Sequence, residues 1–262
     1  MTWDPGLYER FTAQRTQPFW DLAGLIDESV PIERMVDLGC GTGSLTADLA
    51  ARLGVGRALG VDSSEAMLDR ASTHSSPRLS FERGDIGSWT SPAEFGLVFS
   101  NAALHWVPDH PGVLERWRDA LAPGGQLAVQ VPYNADHPAP QAAVRVAHRE
   151  PFLSALGGDP PPDAVTANVR RPEEYARLLH DLGFGARSVR MEVYGHLLPS
   201  HDAVIEWIRG STLTRFFGRL PGELHDPFVD AVRTEYLDAV GTGEPVFYPF
   251  KRILMWGRLP LS

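Results

Sequence analysis

Cysteine is nearly missing from this chain. Cys40 is the only one in 262 residues, so no intramolecular disulfide can form. Long apolar runs are missing too, and none is long enough to span a bilayer. Positive charge is in short supply: 24 Lys and Arg against 33 Asp and Glu leave a net charge of −9. An acidic chain without a basic run is a poor partner for nucleic acid or an anionic membrane surface. The opening Met1-Thr2-Trp3-Asp4-Pro5 has neither the basic nor the apolar region of a secretory signal. Internal repeats are absent, and low complexity is confined to Pro160-Pro161-Pro162. What remains is 43% hydrophobic, enough for a sizeable core in one large α/β domain, with or without a small lid. The expectation is a cytoplasmic enzyme with no nucleic-acid or membrane partner; the sequence leaves its oligomeric state open.

The strongest local signal is Val36-Asp37-Leu38-Gly39-Cys40-Gly41-Thr42-Gly43. Val36 and Leu38 give a buried strand, and three alternate glycines then make a turn that admits positive φ and close approach of a ligand. Leu45, Leu49 and Leu53 follow at helical spacing. The helix would present unbonded N–H groups and the positive end of its dipole to that ligand. The spacing Asp-x-Gly-x-Gly-x-Gly is not the Gly-x-Gly-x-x-Gly of dinucleotide folds, which disfavours a dehydrogenase. An anion ahead of the first glycine suits a ligand carrying positive charge better than a pyrophosphate. The bland alternative is a glycine turn that merely packs a helix on a strand.

Strands are predicted at Arg34–Leu38, Ala58–Val61, Leu79–Phe81, Gly96–Ser100, Gln126–Val131, Ala186–Tyr194 and Arg252–Arg258. Helical stretches lie between them. Pro18 is read as the start of a helix toward Asp27, and Pro123-Gly124-Gly125 as the end of the helix before the fifth strand. Further helices are expected at Gln141–Glu150, Pro172–Leu182, Asp202–Arg209 and Glu223–Val240. Asp62 ends the second strand, where an acid can accept hydrogen bonds from both hydroxyls of a ribose; a helix cap is the alternative. Ser63 and Met67 follow at the start of the next helix. Asn101, His105 and Trp106 stand at the carboxyl end of the fourth strand, where an open α/β sheet exposes its working groups. Tyr8, Phe11 and Arg15 are spaced to share a helix face, either as a cap over the site or as cover for the sheet edge.

The glycine turn resembles motif I of class I S-adenosylmethionine methyltransferases. The likeness extends along most of the chain. Trp3-Asp4-Pro5, Tyr8, Phe11, Arg15 and Pro18, the Asp62-Ser63-Ser64 step, and Asn101-Ala102-Ala103-Leu104-His105-Trp106-Val107-Pro108-Asp109-His110 are similar to trans-aconitate methyltransferases. So are Val129-Gln130-Val131-Pro132, His196 with Pro199-Ser200-His201, Ile205-Glu206-Trp207 and Tyr248-Pro249-Phe250-Lys251-Arg252. Thr42 and Gln17 depart from the Pro and Arg of that family.

The resemblance implies an α/β, Rossmann-like seven-stranded class I methyltransferase sheet with helical lid insertions. Its parts would be an N-terminal helical cap (1–33), a core (34–132, 172–195 and 250–262) and substrate lid insertions (133–171 and 196–249). The cofactor would be S-adenosyl-L-methionine, with S-adenosyl-L-homocysteine as product, held by Asp37, Gly39, Gly41, Gly43, Asp62, Ser63, Met67, Asp85, Ile86, Asn101 and Trp106. Asp85 would accept from the adenine amino group, with Ile86 beside the ring. The activity implied is O-methylation of a carboxylate of trans-aconitate or a related small polycarboxylic acid.

A carboxylate is already ionised at neutral pH, so the reaction calls for alignment more than for a base. His105 is therefore expected to donate a hydrogen bond to an acid, or to act as a base toward a hydroxyl. Arg15 and Arg252 are the candidate carboxylate clamps, set against an alternative as surface ion pairs. Tyr8, Phe11, Tyr133, His196, Trp207 and Tyr248 are the candidate substrate contacts. No metal site is expected. Two other readings stay open: methylation of another acid, a hydroxyl, an amine or a carbon, and a non-catalytic cofactor-binding protein.

Overall fold

A computed structural model of the chain describes residues 16–261. Seven strands form one sheet in the order β3-β2-β1-β4-β5-β7-β6. They are β1 (Arg34–Leu38), β2 (Arg57–Asp62), β3 (Leu79–Arg83), β4 (Phe95–Asn101), β5 (Leu121–Pro132), β6 (Ala186–Leu198) and β7 (Val246–Arg258). The pairs β1–β2, β2–β3, β1–β4 and β4–β5 are parallel, and β7 runs antiparallel to β5. The chain works outward from β1 to β3, then returns to the other side of β1 as β4. That reversal opens a crevice at the carboxyl ends of β1 and β4, where ligands of open α/β sheets bind.

The strands between the edges are apolar because helices cover both faces. The first helix, α1, runs over 16–23. Phe19, Leu22 and Ala23 pack with Met35 of β1, Leu97 and Phe99 of β4, Ala128 of β5 and Leu254 of β7 in one buried cluster. Leu49 of α2 (Ser44–Leu53) joins them. Then come α3 (Glu65–Ala71) and α4 (His110–Asp119), whose Val113, Leu114 and Trp117 are buried. Burial of such side chains stabilises by roughly 1.5–3 kcal/mol each.

The chain divides into two compact units. Of the described residues, the first comprises 16–132, 168–192 and 252–261. The second comprises 133–167 and 193–251 and is mainly helical. Its helices include α5 (Pro138–Ala147), α6 (Phe152–Ala155), α9 (His201–Arg209), α10 (Thr214–Phe217) and α11 (His225–Val240), with α7 (Ala164–Asn168) and α8 (Pro172–Asp181) between α6 and α9 in sequence. No helix among the described residues is long and apolar enough to cross a membrane.

Several boundaries differ from expectation. Residue 16 is already helical, so Pro18 does not begin α1, which ends at residue 23 rather than near Asp27. Helix α5 starts at Pro138, since proline suits the first turn of a helix. Pro123-Gly124-Gly125 lies within β5, not at the end of α4. There the pairing jumps from Phe95↔Leu121 to Leu97↔Gln126, and Gly124 takes φ 75°. A bulge of this kind uses glycine for its left-handed residue. β6 and β7 are longer than expected, ending at Leu198 and starting at Val246.

Candidate active site

The glycine turn joins β1 to α2. Gly39, Gly41 and Gly43 have φ of 85°, 56° and 74°. A Cβ on Gly39 would stand 2.2 Å from that of Ala103, and one on Gly43 would meet the Phe81 ring at 2.7 Å. Those two glycines are required by packing. Gly41 differs, because among the described residues a Cβ there would meet nothing within 4 Å, which leaves room for a ligand above it. Gly43 is also the N-cap of α2 and supplies no side-chain cap, so the first N–H groups of that helix keep their capacity for an outside acceptor.

Two acids brace the turn. Asp62, at the end of β2, accepts from the Gly41 N–H at 2.9 Å and from the Ser64 N–H at 2.8 Å. It thus shapes the turn while each oxygen keeps a second lone pair. Asp37 is buried on β1 and accepts from Thr46 Oγ1 of α2 at 2.5 Å. Burial pushes its carboxyl up to about 7; the Thr46 hydrogen bond opposes this and the nearby Asp62 charge adds to it. The same burial, with Asp37 and Asp62 beside it, drives the Cys40 thiol far up, so it is not a nucleophile.

Ser63 is exposed in the step to α3, and Met67 is 41% exposed in its first turn, its N–H capped by Ser64 Oγ at 3.4 Å. Beyond β3, the Asp85 carboxylate accepts from the Gly87 N–H at 2.9 Å, and Ile86 is buried. Helix α4 holds this loop: Trp117 Nε1 donates to the Ile86 carbonyl at 3.1 Å and Arg116 Nη2 to the Gly87 carbonyl at 2.5 Å.

At the end of β4 the chain turns sharply after Asn101, with Ala102 at φ 53°. Positive φ is uncommon outside glycine, and here the Ala102 N–H still bonds the Gln130 carbonyl at 3.0 Å. His105 is buried in the one-turn helix Leu104–Trp106, while Trp106 is 62% exposed, the two rings 4.6 Å apart. Asn168 Nδ2 donates to the His105 carbonyl at 3.0 Å. The loop's far end is fixed by His110. Its Nε2 lies 3.0 Å from the Leu104 carbonyl and its Nδ1 2.5 Å from Tyr175 Oη of α8. Donation from Nε2 leaves Nδ1 to accept the tyrosine proton, and burial keeps the imidazole neutral by lowering its pKa.

Arg252 lies on β7 opposite Pro132, two residues from Leu254, which is opposite Gln130. In the second unit, His196 and Trp207 stack at 5.5 Å, and Tyr248 lies 5.9 Å from Trp207 and 4.3 Å from His137. Burial lowers the His137 pKa to about 4. Tyr133 packs instead against Lys251, whose ammonium stands 6.0 Å from the ring centre. Tyr8, Phe11 and Arg15 lie outside the described residues. Sequence reasoning singled out neither His137 nor Gln130 as a site residue, though a glutamine in an apolar strand was a visible signal.

A mostly parallel sheet with its reversal at β1 and β4, a roomy glycine turn there and an acid at the tip of β2 define a class I methyltransferase. The comparisons with known proteins agree. A family model described as a methyltransferase domain matches residues 35–125. A trans-aconitate 2-methyltransferase of Deinococcus radiodurans is 41% identical over 262 residues, 99% of each chain. Another, from Streptomyces coelicolor, is 38% identical over 99% of this chain and 87% of its own. One from Mycobacterium tuberculosis is 36% identical over 97% and 95%. Among solved structures, the YcgJ protein of Bacillus subtilis superposes with a TM-score of 0.58 at 17% identity, over 93% of this chain and all of its own. A Haemonchus contortus phosphoethanolamine N-methyltransferase solved with S-adenosylhomocysteine gives 0.51 at 18% identity, over 87% of this chain and 49% of its own. The chain belongs to the trans-aconitate 2-methyltransferase family.

Proposed function

We propose that the protein uses S-adenosylmethionine to esterify a carboxylate of trans-aconitate or a closely related small polycarboxylic acid. The observation that carries the acceptor is the 41% identity over 99% of both chains. The fit of the cofactor rests on the open space over Gly41, the uncapped start of α2 and the two acids beside it. Bound there, S-adenosylmethionine supplies a methyl group on a positively charged sulfur, and S-adenosylhomocysteine is the product.

The Gly39–Gly43 backbone and α2 hold the cofactor's amino-acid end, and the remaining lone pairs of Asp62 take the ribose hydroxyls. Asp85 and Ile86 receive the adenine, with Ser63, Met67, Asn101 and Trp106 around it. His105 and Arg252 are assigned to the acid. In the transfer, the acid's oxygen forms the new bond to the methyl carbon as the carbon–sulfur bond breaks and its electron pair stays on sulfur. One negative and one positive charge are consumed and no proton moves. Such a reaction gains from dry surroundings, because water stabilises the separated charges more than the transition state.

The test is mass spectrometry of trans-aconitate and a panel of di- and tricarboxylates after incubation with enzyme and cofactor. A monomethyl ester of a polycarboxylate is expected. Transfer only to hydroxyls, amines or carbon would overturn the acceptor class. No transfer at all, with cofactor bound, would favour a binding protein.

A further inference from the structure

Two glutamines of β5 lie four residues apart and therefore on one face of the sheet. Both are fully buried. Gln126 is paired at both amide atoms. Its Oε1 accepts from the Asp27 N–H at 2.8 Å and from Trp256 Nε1 at 2.9 Å, and its Nε2 donates to the Asp27 carbonyl at 3.0 Å. Gln130 is the opposite. Neither its Oε1 nor its Nε2 has a hydrogen-bond partner among the described residues. A buried amide left unpaired is costly, and folding alone would favour leucine there.

The position of this amide indicates what it is for. Gln130 pairs with Asn101 of β4 on one side and Leu254 of β7 on the other. Residues directly opposite in neighbouring strands share a face, so Asn101 and Gln130 point the same way. Arg252, two residues from Leu254, has that face as well. Asn101 Oδ1 is also buried without a partner among the described residues. Ala102, in its left-handed conformation, turns the chain away just after this pair. The unpaired Gln130 carboxamide and the unpaired Asn101 Oδ1 thus stand side by side at the carboxyl end of β4 and β5, where an open sheet receives its ligand.

We infer that the Gln130 carboxamide orients the carboxylate that accepts the methyl group, donating from Nε2 to the oxygen that does not attack. The inference rests on the acid-methylating reading above. A neutral amide suits this place better than a cation. A guanidinium on the reacting carboxylate would draw off the electron density that must reach the methyl carbon, whereas an amide fixes its plane and leaves its charge. Arginine is then the group for a carboxylate that does not react. Gln130 is a positioning residue: the new bond is made by the acid's own oxygen, and no proton passes through the amide.

The experiment compares wild type with Gln130→Leu and Gln130→Glu. Gln130→Leu removes an unpaired amide at nearly equal volume, so its Tm is expected to be no lower than wild type. Its kcat/KM for the acid should fall on the order of 10- to 100-fold, the size of one lost hydrogen bond to a charged group, with S-adenosylhomocysteine affinity unchanged. Gln130→Glu should be as poor at pH 8, where two carboxylates repel, and recover relative to Gln130→Leu as pH falls and Glu becomes a donor. A purely structural role would not produce that divergence. Independently, the Gln130 side-chain amide resonances, assigned by their loss in Gln130→Leu, are followed while trans-aconitate is added to enzyme saturated with S-adenosylhomocysteine. They should move with the acid and not with the cofactor alone. Movement with the cofactor only, no movement at all, or kcat/KM within twofold in Gln130→Leu would each overturn the assignment. The first two are read without turnover, so they stand apart from a mass spectrum that shows no polycarboxylate ester.

Discussion

Asp37→Asn tests the electrostatics of the glycine turn most directly. The Asp37 carboxyl is held near pKa 7 against an ordinary 3.8, chiefly by burial. For an acid with a raised folded-state pKa, the unfolded chain releases its proton first as pH rises. The contribution to stability is therefore full below about 3.8, is lost progressively up to about 7 and is flat beyond. At 1.36 kcal/mol per unit, the span of about three units amounts to roughly 4 kcal/mol. Asparagine has no such dependence. It can still accept from Thr46 Oγ1, though its own N–H groups need partners, a cost of about 1–3 kcal/mol that does not vary with pH. The gap between variant and wild type should therefore shift in the variant's favour by about 2.5 kcal/mol between pH 5 and pH 7.5. At about 2–4 °C per kcal/mol for a chain of this size, that is roughly 5–10 °C in relative Tm. Taking the difference cancels the titrating groups that are not coupled to Asp37. Thermal denaturation of both proteins without cofactor, at matched ionic strength across that range, is the assay. A Tm gap that stays constant would refute the reasoning. A cationic ligand should also draw the Asp37 proton off, so S-adenosylmethionine binding near pH 6.5 should release protons in wild type and fewer in the variant. Calorimetry in two buffers of different ionisation enthalpy measures this.

Two further outcomes follow from the hydrogen bonds described above. Asp62→Ala removes the acceptor of the Gly41 and Ser64 N–H groups and should weaken S-adenosylhomocysteine binding at least tenfold; unchanged affinity by titration calorimetry would exclude the ribose role. Tyr175→Phe takes the donor from His110 Nδ1 and the acceptor from the Arg170 N–H, 3.2 Å from Tyr175 Oη. The expected loss is about 1–3 kcal/mol, and unfolding by urea with an unaltered midpoint would contradict it.

The first half of the sheet was legible because its signals are local. Three glycines, an acid at the end of β2 and runs of buried aliphatics report themselves within a few residues. The outer strands were read short because residues that look like breaks lie inside them: β6 runs on past Gly195 to Leu198, and β7 begins before Pro249. The Pro-Gly-Gly step looked like a helix terminus because glycine serves helix ends and bulges alike. In the site, the placement of Asp62 beside Gly41 could be anticipated from chain distance. The contrast between Gln126 and Gln130 could not. The two are the same residue on the same face of one strand, and only the partners brought by Asp27 and Trp256 distinguish them.

The sheet order also constrains how the protein comes to be made. β7 sits between β5 and β6, yet it is translated after β6, with α9, α10 and α11 intervening. During synthesis the cluster β3-β2-β1-β4-β5 can pair as its strands emerge. β6 has no neighbour to pair with until β7 arrives about 50 residues later. A nascent chain stalled within α11 would carry both an open β5 edge and an orphan β6, two of the surfaces most prone to pair with other chains. Both edges stay unpaired until the residues of β7 have been made.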